Sequence, residues 1–336
     1  MNRNETLGVI VVGHGSPRAE ANAAFVELVD RVAARLDGVP VRAAFFSLAT
    51  PTVTEQAGAL VERGVRRIAV LPYFLHMGQH VRSDLPAQLR ECEKRYPGIH
   101  MELLATLHNE PAIEDVLVER LSALEHDESE VLMDGGAIAR RSAQLIERRL
   151  RSAALGDAER AIVRRMVHAT ADFSFAHSVR IHSEAAVRGV AAIRSGAPVV
   201  CDVQMLKAVL THLKSDILCA IGEPEVRVRA AAASITRAAA AMEVLAPRFG
   251  GAIVAIGNAP TALWKVMQLV QAGAPRPALV VGLPVGLVGA REAKQALIES
   301  GLCYITNIGP RGGSPVAAAA VNALATLAFE KGQVDG

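Results

Sequence analysis

Three places in the sequence put proton-transferring or metal-binding side chains at the ends of largely apolar runs. Gly13-His14-Gly15 follows residues 7–12, and His76-Met77-Gly78-Gln79-His80 follows residues 67–75. An imidazole at the end of a buried strand projects toward the crevice in which open α/β sheets bind ligands. Two of them from neighbouring strand ends, His14 and His80, can share a divalent metal and leave positions open for substrate. His76 is a further candidate ligand. It lies four residues before His80, which on a helix would put both on one face, but Pro72 and Gly78 favour a loop. The third place is His168, after the apolar and basic run of residues 161–167. Histidine is the side chain best able to give and take a proton near neutral pH. On spacing alone the commoner outcomes are loop histidines that hydrogen-bond locally and a surface or capping role for His168.

A second kind of chemistry sits in three later stretches. Residues 251–263 (GAIVAIGNAPTAL) read as a strand buried on both faces, then a turn at Gly257-Asn258, then a helix start. Residues 278–289 (ALVVGLPVGLVG) repeat the plan with a glycine and proline loop. Residues 304–314 (YITNIGPRGGS) are a third strand, running into Pro310-Arg311-Gly312-Gly313-Ser314. Such loops offer backbone N–H groups, an arginine and hydroxyls at the ligand-binding edge of a sheet, where helix starts favour anions. An ordinary strand-to-helix joint has the same geometry.

These residues need a frame to hold them. Apolar runs at residues 7–12, 41–48, 67–75 and 100–104 are candidate strands, separated by helical patterns such as Phe25, Leu28, Val29, Val32 and Leu36. Residues 51–63 read as a helix with Gly64 as its C-terminal cap. In the second half, helices at 137–150 and 228–245 accompany strands at 198–203, 217–221, 251–257, 278–283 and 304–308. Strands alternating with helices imply parallel sheets built from right-handed crossovers. The expected fold class is therefore α/β, with two domains, each a mostly parallel sheet flanked by helices. The expected domains are residues 1–125 and 137–336, joined by an acidic, then glycine-rich linker at 126–136.

Composition narrows the function. The 336 residues are enough for two domains. A formal charge of +2 argues for no nucleic acid partner. The apolar runs are too short and too interrupted to cross a membrane, and the first residues lack a signal-peptide layout. Cys92, Cys201, Cys219 and Cys303 show no metal or redox spacing, as expected of a reduced, cytoplasmic protein.

Two resemblances give these motifs a context. IGNAPTAL, VGLPVGLVGAREAK and PRGGSPVAAAAVNALA resemble the precorrin-8X methylmutase family closely, in its order and spacing, over roughly residues 137–327. That resemblance implies a methyl shift between ring carbons of a corrin precursor, with cobyrinate or hydrogenobyrinate as product and no redox cofactor. It puts His168, in an IVRRMxH-type motif, at the family's catalytic histidine, as proton donor to the ring. The substrate's carboxylates would meet Arg311, Ser314 and the N–H groups of the Gly257-Asn258 and Gly312-Gly313 turns. Arg141 and Ser142 match from the first helix, although the family's aromatic is Ala143 here. Lys294 reads as a solvated surface lysine. The resemblance also implies a homodimer through the C-terminal domain, with the site near the subunit interface.

VVGHGSPRAEAN and LPYFLHMGQHVRSDLP resemble the small sirohydrochlorin chelatases, over roughly residues 8–124. This puts His14 and His80 on metal-binding histidines, which would hold divalent cobalt and take protons from the pyrrole nitrogens. The sequence departs from that family at Ser47, where members often carry glutamate; a neutral hydroxyl is a poor ligand and a poor proton acceptor. Both resemblances point to tetrapyrrole chemistry, and an early cobalt step favours cobalt-precorrin-8 over the metal-free precursor. A mainly cobalt-chelating enzyme and a non-catalytic tetrapyrrole-binding protein are the alternatives. A nucleotide-binding oxidoreductase is disfavoured, since no GxGxxG follows an early strand.

Overall fold

The structure is a computed structural model. It describes residues 6–36, 38–75, 78, 80–122, 133–151, 154–210 and 213–329. His76 and most of residues 126–136 lie outside the described residues, as does the side chain of His80. The chain divides into two units, Met1–Asp127 and Glu128–Gly336.

The first unit runs β1 (Leu7–Gly13), α1 (Ala19–Ala33), β2 (Val41–Phe45), α2 (Val53–Glu62), β3 (Arg67–Pro72), a π-helical turn (His80–Asp84), α3 (Leu85–Arg95), β4 (His100–Leu103) and α4 (Pro111–Ser122). Its four strands pair in the order β2-β1-β3-β4, all parallel. Alternation along the strands feeds two layers. Ile10, Val12, Ala44, Ile68 and Val70 pack with Leu60, Leu85 and Leu89 on one face. Val11, Val41 and Ala43 pack with Val29 on the other. Chain order reverses between β1 and β3, so the loop carrying His14 leaves the sheet at its switch point. The expected strands at 41–48 and 67–75 stop earlier, at Phe45 and Pro72. Gly64 does follow the helix end, with φ +82.

The second unit runs α5 (Gly135–Arg149), α6 (Asp157–Thr170), α7 (Ser174–Ser178), β5 (Val179–Ile181), α8 (Ala185–Arg194), β6 (Val199–Cys201), α9 (Gln204–Val209), β7 (Ile217–Leu218), α10 (Pro224–Ala233), α11 (Arg237–Leu245), β8 (Ile253–Ile256), α12 (Pro260–Gln271), β9 (Leu279–Gly282), α13 (Ala290–Glu299), β10 (Tyr304–Asn307) and α14 (Ser314–Phe329). The sheet order is β5-β10-β9-β8-β6-β7. All neighbours are parallel except β5, an antiparallel edge strand on β10. The buried strands read as continuous apolar runs because both faces are covered. Val199, Cys201, Ile253, Ala255, Leu279 and Val281 face α6, α8 and α14. Val200, Val254, Ile256 and Val280 face α11, α12 and α13.

Two features differ from the sequence reading. The edge strand β5 has no counterpart there: it is three residues long and nowhere fully buried. The expected helix at 228–245 is two helices. Ser234 takes a left-handed conformation, φ +52, and the Thr236 hydroxyl caps the new helix by accepting from Ala239 N–H at 3.2 Å.

Candidate active site

Helix α6 carries two stripes. Ile162, Val163, Met166 and Val167 are buried against the core, the 3.6-residue spacing of a packed face. Ala161, Arg164, Arg165 and His168 form the other stripe, and His168 is exposed. That second stripe walls a cavity of about 320 Å³, closed by Ala139, Ala143 and Ile146 of α5 and by Ala323, Thr326 and Leu327 of α14. The lining is apolar on the α5 side and, but for Thr326, on the α14 side, with His168, Arg164 and Arg165 on the third. Glu147 steadies this wall, 3.4 Å from Arg164 and 3.9 Å from Arg160. Arg141 and Ser142 do not line the cavity. Arg141 is two residues from Ala139 and from Ala143, so it points away from the face those alanines present.

Beyond His168 the helix ends at Ala171 in the left-handed conformation, and Asp172 follows. The Asp172 carboxylate accepts from Ser174 N–H at 2.9 Å and from Arg311 Nη1 at 3.0 and 2.8 Å. The same Arg311 nitrogen also donates to the Ser174 hydroxyl. The loop after β10 is thereby tied to the end of the helix that bears His168.

The exit loops of β8, β9 and β10 are stitched to one another. Leu283 N–H donates to Ile256 O at 2.8 Å, Gly286 N–H to Pro310 O at 3.0 Å, and Gly313 N–H to Leu283 O at 2.8 Å. Two glycines permit the approach. A Cβ on Gly312 would lie 2.3 Å from the Leu283 carbonyl oxygen, and one on Gly257 would lie 2.8 Å from Ser314 Cα. Ser314, buried, starts α14 there.

Two buried charges pin these loops. Asp202, fully buried after β6, accepts from Gly257 N–H at 3.0 Å and from Asn258 and Ala259 N–H at 2.8 Å each. Burial raises its carboxyl above the ordinary value, against the pull of those three donors. This corrects the expected role of the Gly257-Asn258 N–H groups as carboxylate donors for a ligand, because the chain's own carboxylate takes them. Gly313 N–H is likewise spent on Leu283. The crevice between β6 and β8 is also where the strand order reverses, the place at which dinucleotide folds bind phosphate; Asp202 fills it with negative charge. Asn258 and Arg311 keep exposed side chains.

Lys294 is the second buried charge, and it overturns the reading of a solvated lysine. It has no exposed surface. Its ammonium donates to Asn307 Oδ1 at 3.0 Å and to the Arg311 carbonyl at 2.5 Å. Asn307 Nδ2 also donates to Arg311 O, at 3.1 Å. Burial, with the like charge of Arg291, lowers the Lys294 pKa to about 8. The signal is present in the sequence: Ala290, Ala293 and Leu297 form the buried stripe of α13, and Lys294 stands on it.

In the first unit, His14 leaves β1 exposed, with its ring 6.2 Å from that of Phe46 and 6.4 Å from that of Phe74. Ser47 N–H and Oγ donate to the His14 carbonyl at 3.0 and 3.3 Å. Gly15, at φ +89, lets the Ser47 carbonyl come so near that a Cβ would sit 1.8 Å from its oxygen. The residue in place of the expected glutamate is thus directly beside His14. Among the described residues, no three of His, Cys, Asp and Glu gather as a metal site; His76 and the His80 side chain lie outside them.

Comparison with known proteins agrees with the division into two units. The precorrin-8X methylmutase family profile matches residues 137–327, more than half of the chain. The CbiX family profile matches residues 8–124. The cobalt-precorrin-8 methylmutase of Methanothermobacter thermautotrophicus is 41% identical over 199 residues, covering 59% of this chain and 95% of that protein. The precorrin-8X methylmutase of Pseudomonas aeruginosa is 39% identical over 202 residues, covering 58% and 97%. The crystal structure of the precorrin-8X methylmutase from Thermus thermophilus superposes with a TM-score of 0.53 at 37% identity, covering 58% of this chain and 96% of that one.

Proposed function

The chain belongs to the precorrin-8X methylmutase family, and from that premise we propose that its second unit isomerises cobalt-precorrin-8 to cobyrinate, with His168 as the proton donor. The observation that carries this is the exposed stripe of α6. It sets His168 beside Arg164 and Arg165 on the wall of a largely apolar cavity. A flat macrocycle rests on the alanine and leucine lining, while cationic side chains meet its peripheral carboxylates. The protonated imidazole gives its proton to the ring. The conjugated system then carries the positive charge, and the methyl group moves with its bonding pair to the adjacent carbon. Loss of a ring proton to the now neutral imidazole restores the imidazolium, so the reaction is an isomerisation and consumes nothing.

The cavity, near the lower end of the ~300–1,000 Å³ range of small-molecule sites, is too small to enclose a corrin precursor. A second copy of the chain covering the rest is the arrangement we favour, a homodimer through the second unit. No described helix is long and apolar enough to cross a membrane, and a cytoplasmic enzyme suits this chemistry.

The first unit is a CbiX, chelatase-like domain. We infer that it handles divalent cobalt as a substrate for tetrapyrrole insertion, with His14 and His80 as ligands and His76 as a further candidate. Ser47 weakens it relative to a glutamate-bearing site, so methyl migration is the main activity. The test is the visible absorption of cobalt-precorrin-8 incubated with wild type and with His168→Ala. Wild type should produce the cobyrinate spectrum and the variant should not. An unchanged spectrum with wild type, alongside cobalt insertion into sirohydrochlorin by the same preparation, would make the chelatase the main activity.

A further inference from the structure

Lys294 is an ammonium with no exposed surface, and its two hydrogen-bond partners are neutral oxygens, Asn307 Oδ1 and the Arg311 carbonyl. A buried charge is costly unless paired, so its surroundings matter. On its own helix, Arg291, Glu292 and Glu299 are all exposed. Helix α12, packed alongside, carries one charged residue, Lys265, which pairs with Glu243 at 2.9 Å. Strands β9 and β10 contribute no acid or base beyond Tyr304. The loop above contributes Arg311, whose guanidinium is engaged by Asp172. No carboxylate among the described residues forms an ion pair with Lys294.

We propose that Lys294 supplies fixed positive charge to the Arg311–Ser314 loop from beneath, and that a carboxylate of the bound tetrapyrrole is the counter-ion it lacks. Lys294 is then a positioning residue, not a catalytic one. It acts through the Arg311 carbonyl, holding the loop with its peptide oxygen turned inward and its guanidinium outward. The proposal rests on the reading of this loop as a carboxylate site. Its specific consequence is linkage. A docking anion favours the protonated lysine, and burial has already lowered the Lys294 pKa to about 8. Binding at pH 8.5 should therefore draw a proton from solvent.

The experiment titrates the product cobyrinate, followed by visible absorption, into the full chain and into Lys294→Met, Lys294→Gln and Arg311→Gln. Calorimetry at pH 8.5 in two buffers of different ionisation enthalpy counts the proton. Wild type should take up a fraction of a proton, and both Lys294 variants should take up less and bind about tenfold more weakly. Met fills the site without a charge, so folding should survive; thermal unfolding of each variant checks this. Lys294→Gln keeps a donor for Asn307 and Arg311. If it binds like wild type, hydrogen bonding suffices and the charge proposal is overturned. The proposal is overturned equally if Lys294→Met takes up as much proton as wild type. If Arg311→Gln binds cobyrinate like wild type, the loop is not the carboxylate site and both readings fall together. A loss with Arg311→Gln but none with either Lys294 variant overturns the role of Lys294 alone.

Discussion

The loops after β8 and β10 leave the same edge of one sheet, yet buried charges of opposite sign hold them. Asp202 gathers three N–H groups of the β8 loop, whereas Lys294 takes a carbonyl of the β10 loop. The difference decides what each loop can do. A loop whose donors point inward to a carboxylate has none of those donors left for an anionic ligand. A loop whose carbonyl points inward to a cation presents positive potential outward, and here it also carries Arg311, whose Nη1 holds Asp172 while its side chain stays exposed. Two glycine-containing strand-exit loops thus become a structural joint in one case and a candidate binding loop in the other.

The largest effect should come from breaking the first loop. Asp202→Ala leaves three N–H groups without an acceptor, one buried at Gly257 and two part-buried at Asn258 and Ala259, and at ~1–3 kcal/mol for an unsatisfied buried group we expect a loss of about 2–4 kcal/mol, read by thermal and denaturant unfolding. A variant as stable as wild type would show that the carboxylate does not pin the loop. Gly312→Ala comes next. Its Cβ meets backbone oxygens of Leu283 and Pro284, at 2.3 and 2.5 Å, which cannot swing aside. A cost of ~1–3 kcal/mol is expected, with weakened binding of cobyrinate; unaltered binding would detach the Arg311 loop from the site.

The second loop should reveal itself through pH. The folded-state pKa of Lys294, about 8, lies below the ordinary lysine value. At pH 7 both folded and unfolded states hold the proton, and the folded state bears the burial cost. Above about 8 the folded state sheds its proton first, so the unfolded state binds more protons and stability rises with pH. Between pH 8 and 10 wild type should gain roughly 1 kcal/mol per pH unit relative to Lys294→Met; equal slopes for the two proteins would mean that Lys294 is not a buried charge. The smallest effect on stability should be that of Ser47→Glu, within about 1 kcal/mol for a half-buried position that loses the hydroxyl's bond to the His14 carbonyl. The variant should nevertheless bind cobalt more tightly than wild type in a competition titration. No gain would separate Ser47 from the metal-handling site.

Much of this is legible in the sequence, for a physical reason. The strands are buried on both faces and read as short apolar runs, and their exit loops follow at glycine, asparagine or histidine. His168 stands out in the sequence through its motif, and it lies on the wall of the α5–α6–α14 cavity. The failures also have causes. β5 is three residues, two half-buried and one exposed, too short and too polar to read as a strand before it pairs with β10. The alanine-rich stretch at 228–245 has no apolar period to betray its break, which depends on Ser234 and the Thr236 cap. Lys294 is easily misjudged because lysine usually points to water, although its place on the Ala290, Ala293 and Leu297 stripe argues otherwise. The fate of the Gly257 and Asn258 N–H groups is not readable at all: it depends on Asp202, more than fifty residues earlier, being brought beneath them by the sheet.

The central claim is a division of labour, with chemistry at His168 and anion binding at the Arg311 loop. Single-turnover conversion at saturating cobalt-precorrin-8, alongside absorption titrations for Kd, tests it most directly. His168→Ala should lower the rate constant by about 10²–10⁴ with little change in Kd, and Arg311→Gln should raise Kd with a much smaller loss of rate. A His168→Ala enzyme that turns over at the wild-type rate would contradict the account.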